Sequence, residues 1–257
     1  MDLQLLRNAT MKIRFGGHTI LTDPMLGEVG TTRSFAGKAP NPTTPLPLPV
    51  SEILAGVDAV LISHLHPDHF DEAAIASLPK DLPLLCSPID VKGLRDHGFT
   101  NVTALAERLS WNNLTLTRTG GRHGSGQILE RLGEVAGFVL AAAGEPTVYW
   151  VGDSIWCEPV AEALATHQPQ LIISHCGGAT LPGFAPIIMD IPDTLRLLEA
   201  APGATVVAVH LEALDHCTVT RAALRQAVDK AGTDGRRLFI PADGQTLRFA
   251  ASGQPTA

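Results

Sequence analysis

Residues 60–71 read VLISHLHPDHFD, and within six positions they carry His64, His66, Asp68 and His69. Imidazoles and carboxylates packed this densely behind an aliphatic run are ligands in search of a cation. In an extended segment alternate side chains share a face, so His64 and His66 point the same way just past the run. Pro67 forces a turn, and Asp68 and His69 then project from the start of the next helix toward a neighbouring point. One short segment thus offers two ligands to one metal and two to a second. Asp68 on its own would read as a helix cap.

Two metals need further ligands, delivered at the ends of buried strands. His123 sits in TGGRHGSG, whose glycines let the backbone turn sharply; a phosphate-cradling role is disfavoured because a β-like stretch is expected to follow. Asp153 follows YWV and Gly152, where a carboxylate can bridge two cations, and His210 closes VVAVH. Five imidazoles and two carboxylates suit zinc or manganese, with iron also admissible, better than magnesium or calcium, which prefer all-oxygen shells. A water shared by two such cations is acidified from a pKa of about 15.7 toward about 7, and the metal-bound hydroxide can attack a carbonyl or phosphorus.

The elements that position these residues read as strands first and helices later. LQLLR, MKIRF and HTILTD suggest an antiparallel meander broken at Asn8 and Gly16-Gly17. Residues 27–50 hold Pro40, Pro42, Pro45, Pro47 and Pro49 and read as an extended surface loop. VDAVLIS follows as a doubly buried strand and FDEAAIASL as a helix. LPLLCS, NVTAL and LTLTRT are further strands, with a short helix at VKGLRD, and EVAGFVLAA with PTVYWVGD forms a hairpin. Helices PVAEALATH, PDTLRLLEAA and TRAALRQAVDKAG then alternate with strands PQLIISH, ATVVAVH, RRLFIP and TLRFA; Asp190 and Gly232 read as caps. The expectation is an α/β (α+β) fold of stacked layers, a single domain over residues 1–257.

Composition narrows the partners. With 45% hydrophobic and 18% charged residues the chain can build a large core. Nineteen basic against 26 acidic residues give a net charge of −7 without a basic stripe, which disfavours nucleic acid and anionic lipid. The start lacks a signal-peptide pattern and no run approaches the roughly 18 apolar residues of a membrane span, so a cytoplasmic protein with a small-molecule substrate is expected, homo-oligomeric or not. Cys86, Cys157, Cys176 and Cys217 form no CxxC pair and read as free thiols.

The order HxHxDH, distant His, Asp, final His resembles the metallo-β-lactamase superfamily. LLRNATMKIRFGGHTILTDPML, YWVGDS and ADGQTL are similar to its metal-dependent hydrolase branch, which contains L-ascorbate-6-phosphate lactonase and N-acylphosphatidylethanolamine phospholipase D. The resemblance implies a four-layer αββα sandwich, with His64, His66 and His123 on one metal, Asp68, His69 and His210 on the other, and Asp153 between them. It implies a dinuclear hydrolase of a small ester, lactone or phosphoester. Alternatives are an RNA-processing or other phosphodiesterase, and a non-hydrolytic metal-binding protein. Asp68 or Asp153 would orient the nucleophile, and His216, six residues past His210, would contact substrate or protonate the leaving group. Asp23, in LTDP, is expected to accept the free N–H of a ligating imidazole. His175, in ISHCGGA, stands where relatives more often carry a small or amide residue and reads as a pocket, substrate or supporting residue.

Overall fold

A computed structural model of the chain describes residues 1–256. Strands β1 (Asp2–Arg7), β2 (Thr10–Phe15) and β3 (His18–Thr22) form the expected meander. Asn8, Gly16 and Gly17 have positive φ and so can make the tight turns. Three parallel strands extend it: β4 (Ala59–Ile62), β5 (Leu84–Cys86) and β6 (Val102–Ala104). They are separated by α2 (Glu72–Ser77) and α3 (Val91–Asp96), which follow a short α1 (Val50–Leu54). With β14 (Thr246–Arg248) on the far edge, the first sheet runs β14-β1-β2-β3-β4-β5-β6.

The second sheet repeats this plan. Antiparallel β7 (Arg108–Trp111), β8 (Leu114–Thr119), β9 (Gly137–Ala141) and β10 (Val148–Trp150) lead into parallel β11 (Leu171–His175), β12 (Thr205–Val209) and β13 (Leu238–Phe239). A short α4 (Ile128–Leu132) precedes β9, and α5 (Glu158–His167), α6 (Ile191–Ala200) and α7 (Arg221–Ala231) supply the crossovers. Leu5, Ile13, Phe15, Phe138, Trp150 and Val207 belong to the layer between the sheets. Separate clusters lie under α1–α3 and under α5–α7. That makes four layers, α/β/β/α, and each fully buried Leu or Phe contributes about 1.5–3 kcal/mol. β4 and β12 are buried at every residue, as strands covered on both faces must be. Asp71, Asp190 and Thr220 cap α2, α6 and α7 through their side chains, and Gly232 ends α7 in the left-handed region.

Four local readings change. Residues 67–70 form a turn in which both His69 N–H and Phe70 N–H bond the His66 carbonyl, so Asp68 and His69 precede α2 and Asp71 is its cap. The glycine-rich stretch leads into α4 rather than a strand, and the last strand before the C-terminal turn shortens to Leu238–Phe239 behind a 3-10 turn. The 27–50 segment is also less superficial than its prolines suggest. Buried Arg7 donates to the carbonyls of Met25 (2.7 Å), Gly27 (2.9 Å) and Thr44 (3.0 Å), and Asn41 is fully buried. Prolines prevent sheet pairing, but a buried guanidinium can still tie such a segment down. Among the described residues no helix is long and apolar enough to cross a membrane.

Candidate metal centre

Strands β3 and β4 run the same way in one sheet, as β8, β10, β11 and β12 do in the other, and the candidate residues follow their carboxyl ends. Asp23 follows β3, His64 follows β4, His123 lies past β8, Asp153 past β10, and His210 follows β12; His175 ends β11. The seven candidate ligands converge into two groups, His64–His66–His123 and Asp68–His69–Asp153–His210, and the ligand atoms of each lie within 4.8 Å of one another. Asp153 Oδ2 stands 3.2 Å from His69 Nε2, 3.4 Å from His123 Nε2 and 3.9 Å from His64 Nε2, so this one oxygen faces both groups. Asp68 Oδ2 faces His69 Nε2 at 3.6 Å and His210 Nε2 at 3.5 Å.

Backbone chemistry makes this convergence possible. Gly152 has φ +72, and a Cβ there would meet the Ala136 carbonyl at 2.5 Å, so only glycine lets the chain turn from β10 to Asp153. Asn8, in the β1–β2 turn, donates to the Asp68 carbonyl (2.9 Å) and accepts the His210 N–H at its own carbonyl (3.0 Å), joining the two sheets at the centre.

Each ring is aimed by what its other nitrogen does. His69 Nδ1–H donates to Asp23 (2.6 Å), which also accepts from the Ser63 N–H (2.7 Å) and hydroxyl (2.5 Å). With its proton committed, the Ser63 oxygen accepts from His64 Nδ1–H (2.9 Å), and His123 Nδ1–H donates to the Ile187 carbonyl (2.9 Å). Their Nε2 lone pairs are therefore turned inward, as metal ligands require. His64 Nε2 and His66 Nδ1 approach to 2.9 Å. Buried His69 Nε2 and His210 Nε2 have no hydrogen-bond partner.

His175 lies behind Asp153, fully buried, and does not line the cavity. Its Nε2 accepts from the Trp150 indole N–H (2.9 Å), a group that can only donate, so Nδ1 carries the proton it gives to Asp153 Oδ1 (2.5 Å). That bond occupies Oδ1 and leaves Oδ2 for the centre. Nothing in the sequence singled out Trp150 or Ser63, and Asn8 read only as a turn between strands, since each acts through a contact distant in sequence.

The electrostatics describe a cage short of positive charge. Burial pushes the Asp153 carboxyl up, but His69, His210 and His123 outweigh it and hold it well below the usual carboxylate range; His69 and His210 do the same for Asp68. Burial lowers His69 and His210, yet the facing carboxylates raise His69 well above its ordinary value and help bring His210 to about 10. His64 and His66 are pushed down, chiefly by burial. His64 and His66 are thus held as neutral imidazoles, and the second group stores protons that a divalent cation would displace. The orphaned nitrogens, inward lone pairs and N/O donor set all fit metal.

A model of the β-lactamase superfamily domain matches residues 18–211. The chain belongs to the metallo-β-lactamase superfamily. It is 33% identical to the UPF0173 protein YddR of Bacillus subtilis, over 97% of this chain and 100% of that one. Among solved structures, isothiocyanate hydrolase from Delia radicum gut bacteria is similar at 38% identity and a TM-score of 0.93, covering 98% of this chain and 100% of that one. A possible metal-dependent hydrolase from Veillonella parvula is similar at 34% identity and 0.92, covering 96% and 98%.

In this superfamily member a cavity of about 480 Å³ opens above the ligands. His66, Asp68, His123 and Asp153, with Arg33, Ser34 and Arg131, contribute its polar lining, and Phe35, Leu132, Leu181 and Ile187 its apolar part. His216 also lines it, its Nδ1 without a partner and its ring 5.0 Å from that of Phe35. Asp215, next in sequence, was not anticipated: it is buried and collects hydrogen bonds from the segment that carries Phe35.

Proposed function

We propose that this superfamily member is a hydrolase that holds two divalent cations and acts on a small molecule with an electrophilic carbon, an isothiocyanate, ester or lactone. The observation that carries the reading is the sorting of seven side chains, six buried and His66 half-buried, into two ligand groups that share Asp153 beneath one cavity. His64, His66 and His123 would hold one cation; Asp68, His69 and His210 the other, with Asp153 reaching both. Zinc and manganese suit that donor set, and iron is admissible. Cations bound there supply Lewis acidity, which acidifies water toward neutral pH and polarises an electrophile.

The chain's own residues do the rest. Asp68 borders the cavity and can orient an attacking water and accept its proton. His216 lines the same space, from which its ring can contact the leaving group. Phe35, Leu132, Leu181 and Ile187 offer an apolar wall to an organic substituent, beside Arg33 and Arg131. Similarity to an isothiocyanate hydrolase over 98% of this chain and 100% of that one supports placing isothiocyanates in the substrate class.

The test is elemental analysis of protein purified without added metal, then a turnover panel of isothiocyanate, lactone, ester and phosphodiester with and without chelator. About two metals per chain and chelator-sensitive hydrolysis of a carbon electrophile are expected, lost in the His64→Ala/His66→Ala double variant while the chain stays folded. Tight metal with no turnover on any probe would leave a binding protein instead.

A further inference from the structure

The segment after β3 passes the mouth of the cavity, and one carboxylate organises it. Asp215 accepts backbone N–H bonds from Phe35 (3.0 Å), Ala36 (3.1 Å), Lys38 (3.1 Å) and Ala39 (3.4 Å), the Ser34 hydroxyl, and the Asn41 amide (3.0 Å). Asn41 Oδ1 accepts the Asp215 N–H in return (2.8 Å). A carboxylate has about four lone-pair directions, and here more than four donors share them. Burial pushes this carboxyl up, but the Ser34, Asn41, Phe35 and Lys38 bonds hold it far below the ordinary range, so the anion is what the segment wraps around.

The product of that wrapping is a placed side chain. Phe35 is set against His216, the residue after Asp215, with ring centroids 5.0 Å apart at 80°. Both line the cavity, together with Leu181 and Ile187 from the segment before α6. Arg7 fixes the two ends of the stretch, at Met25–Gly27 and Thr44, but makes no bond to residues 34–41. Thr32 and Asn41 pair at the base of the stretch through two backbone bonds of 2.7 Å, and residues 34–39 between them are gathered on Asp215.

We propose that Asp215 is a positioning residue for substrate specificity: it folds residues 34–41 into a strap whose Phe35 forms one wall of the cavity and selects substrates by the size and apolarity of the substituent on the reacting carbon. The proposal rests on the hydrolase reading for its kinetic consequence and on geometry alone for the strap.

The experiment compares Asp215→Asn and Phe35→Ala holoenzymes with the wild type on phenethyl and methyl isothiocyanate, beside metal content and the rate of tryptic cleavage at Arg33 and Lys38. In both variants KM for the phenethyl probe should rise about tenfold and KM for the methyl probe less than about twofold, with kcat falling far less than kcat/KM. Tryptic cleavage should quicken about tenfold in Asp215→Asn and stay near the wild-type rate in Phe35→Ala, which keeps the clamp. Equal losses on both probes, or wild-type cleavage in Asp215→Asn, would overturn the proposal. If the wild type turns over neither probe, the carbon-electrophile reading loses its isothiocyanate arm. The specificity role then goes with it, and the cleavage rates alone decide the strap.

Discussion

The two sheets share a plan, an antiparallel half feeding a parallel half, yet they furnish the centre in opposite ways. The first sheet places four ligands from one turn, residues 64–69, at the end of β4. The second places one residue at each of three separate ends: His123 past β8, Asp153 past β10, His210 past β12. Support differs in the same sense. On the first sheet Asp23 and Ser63 aim both His64 and His69, two supports for two rings. On the second, His123 leans on a carbonyl, His210 on the Cys217 thiol at 3.5 Å, and Asp153 on His175 and, through it, Trp150. A ligand cluster close in sequence is aligned by local geometry and fails as a unit. Dispersed ligands are each aligned by a private contact and fail one at a time.

Asp153 is the exception that joins the halves, and removing it should have the largest effect. Its Oδ2 faces imidazoles of both groups, so Asp153→Ala is expected to lower metal content to one per chain or less and cut kcat/KM on the order of 10³-fold. His123→Ala, a dispersed ligand facing one group, should leave the second group's metal in place. Metal analysis and kinetics on the two variants side by side settle it; retention of two metals in Asp153→Ala would break the bridging role.

The supports come next. Losing an outer hydrogen bond to a ligand typically costs 10–100-fold in metal affinity. His175→Phe removes the donor to Asp153 Oδ1 and is expected to fall in that range, measured by competition with a chelator. His175→Asn, whose amide N–H can reach the same oxygen, should recover most of the loss. Asp23→Ala should cost at least as much, because His69 and, through Ser63, His64 both depend on it. If His175→Asn were as weak as His175→Phe, the ring would be acting by bulk rather than by its proton.

The same contrast explains what could be read from the chain alone. HxHxDH is legible because its meaning is local: a strand end and a turn bring the groups together wherever the segment lies. His123, Asp153 and His210 are legible only as strand ends in the right order, and their convergence, which depends on two sheets facing across a common core, came through the family resemblance. Trp150 reads as a core aromatic, and the reason it matters lies 25 positions away in His175. Asp215 and Phe35 are 180 positions apart, and no local pattern announces that a proline-rich stretch will be gathered on a distant carboxylate. A layered α/β fold was legible from apolar runs and its αββα order from the resemblance; short α1, β7 and α4 were not, since helices of five residues and a strand of four carry too little periodicity to register.

The smallest effect sharpens the comparison on the first sheet, away from the ligands. Asp90, between β5 and α3, is buried with Oδ2 unpartnered, and burial, then the nearby Asp23 charge, raise its pKa to about 6 against a partial offset from Arg118. For a carboxyl raised on folding, the stabilising contribution is complete below the unfolded value near 3.8 and fades as pH climbs through about 6, because the folded state resists releasing the proton. The Asp90 contribution to stability should therefore decline between about pH 4 and pH 7 by about 1–2 kcal/mol, discounted for the group's partial solvent access. Asp90→Asn, which cannot ionise, should flatten that part of the profile. Urea midpoints of the metal-free wild type and variant across this range give the difference directly, and parallel profiles would mean that Asp90 ionises as freely folded as unfolded. Activity of the loaded protein should barely respond, because Asp23 keeps its bonds from Ser63 and His69 whichever residue stands at position 90.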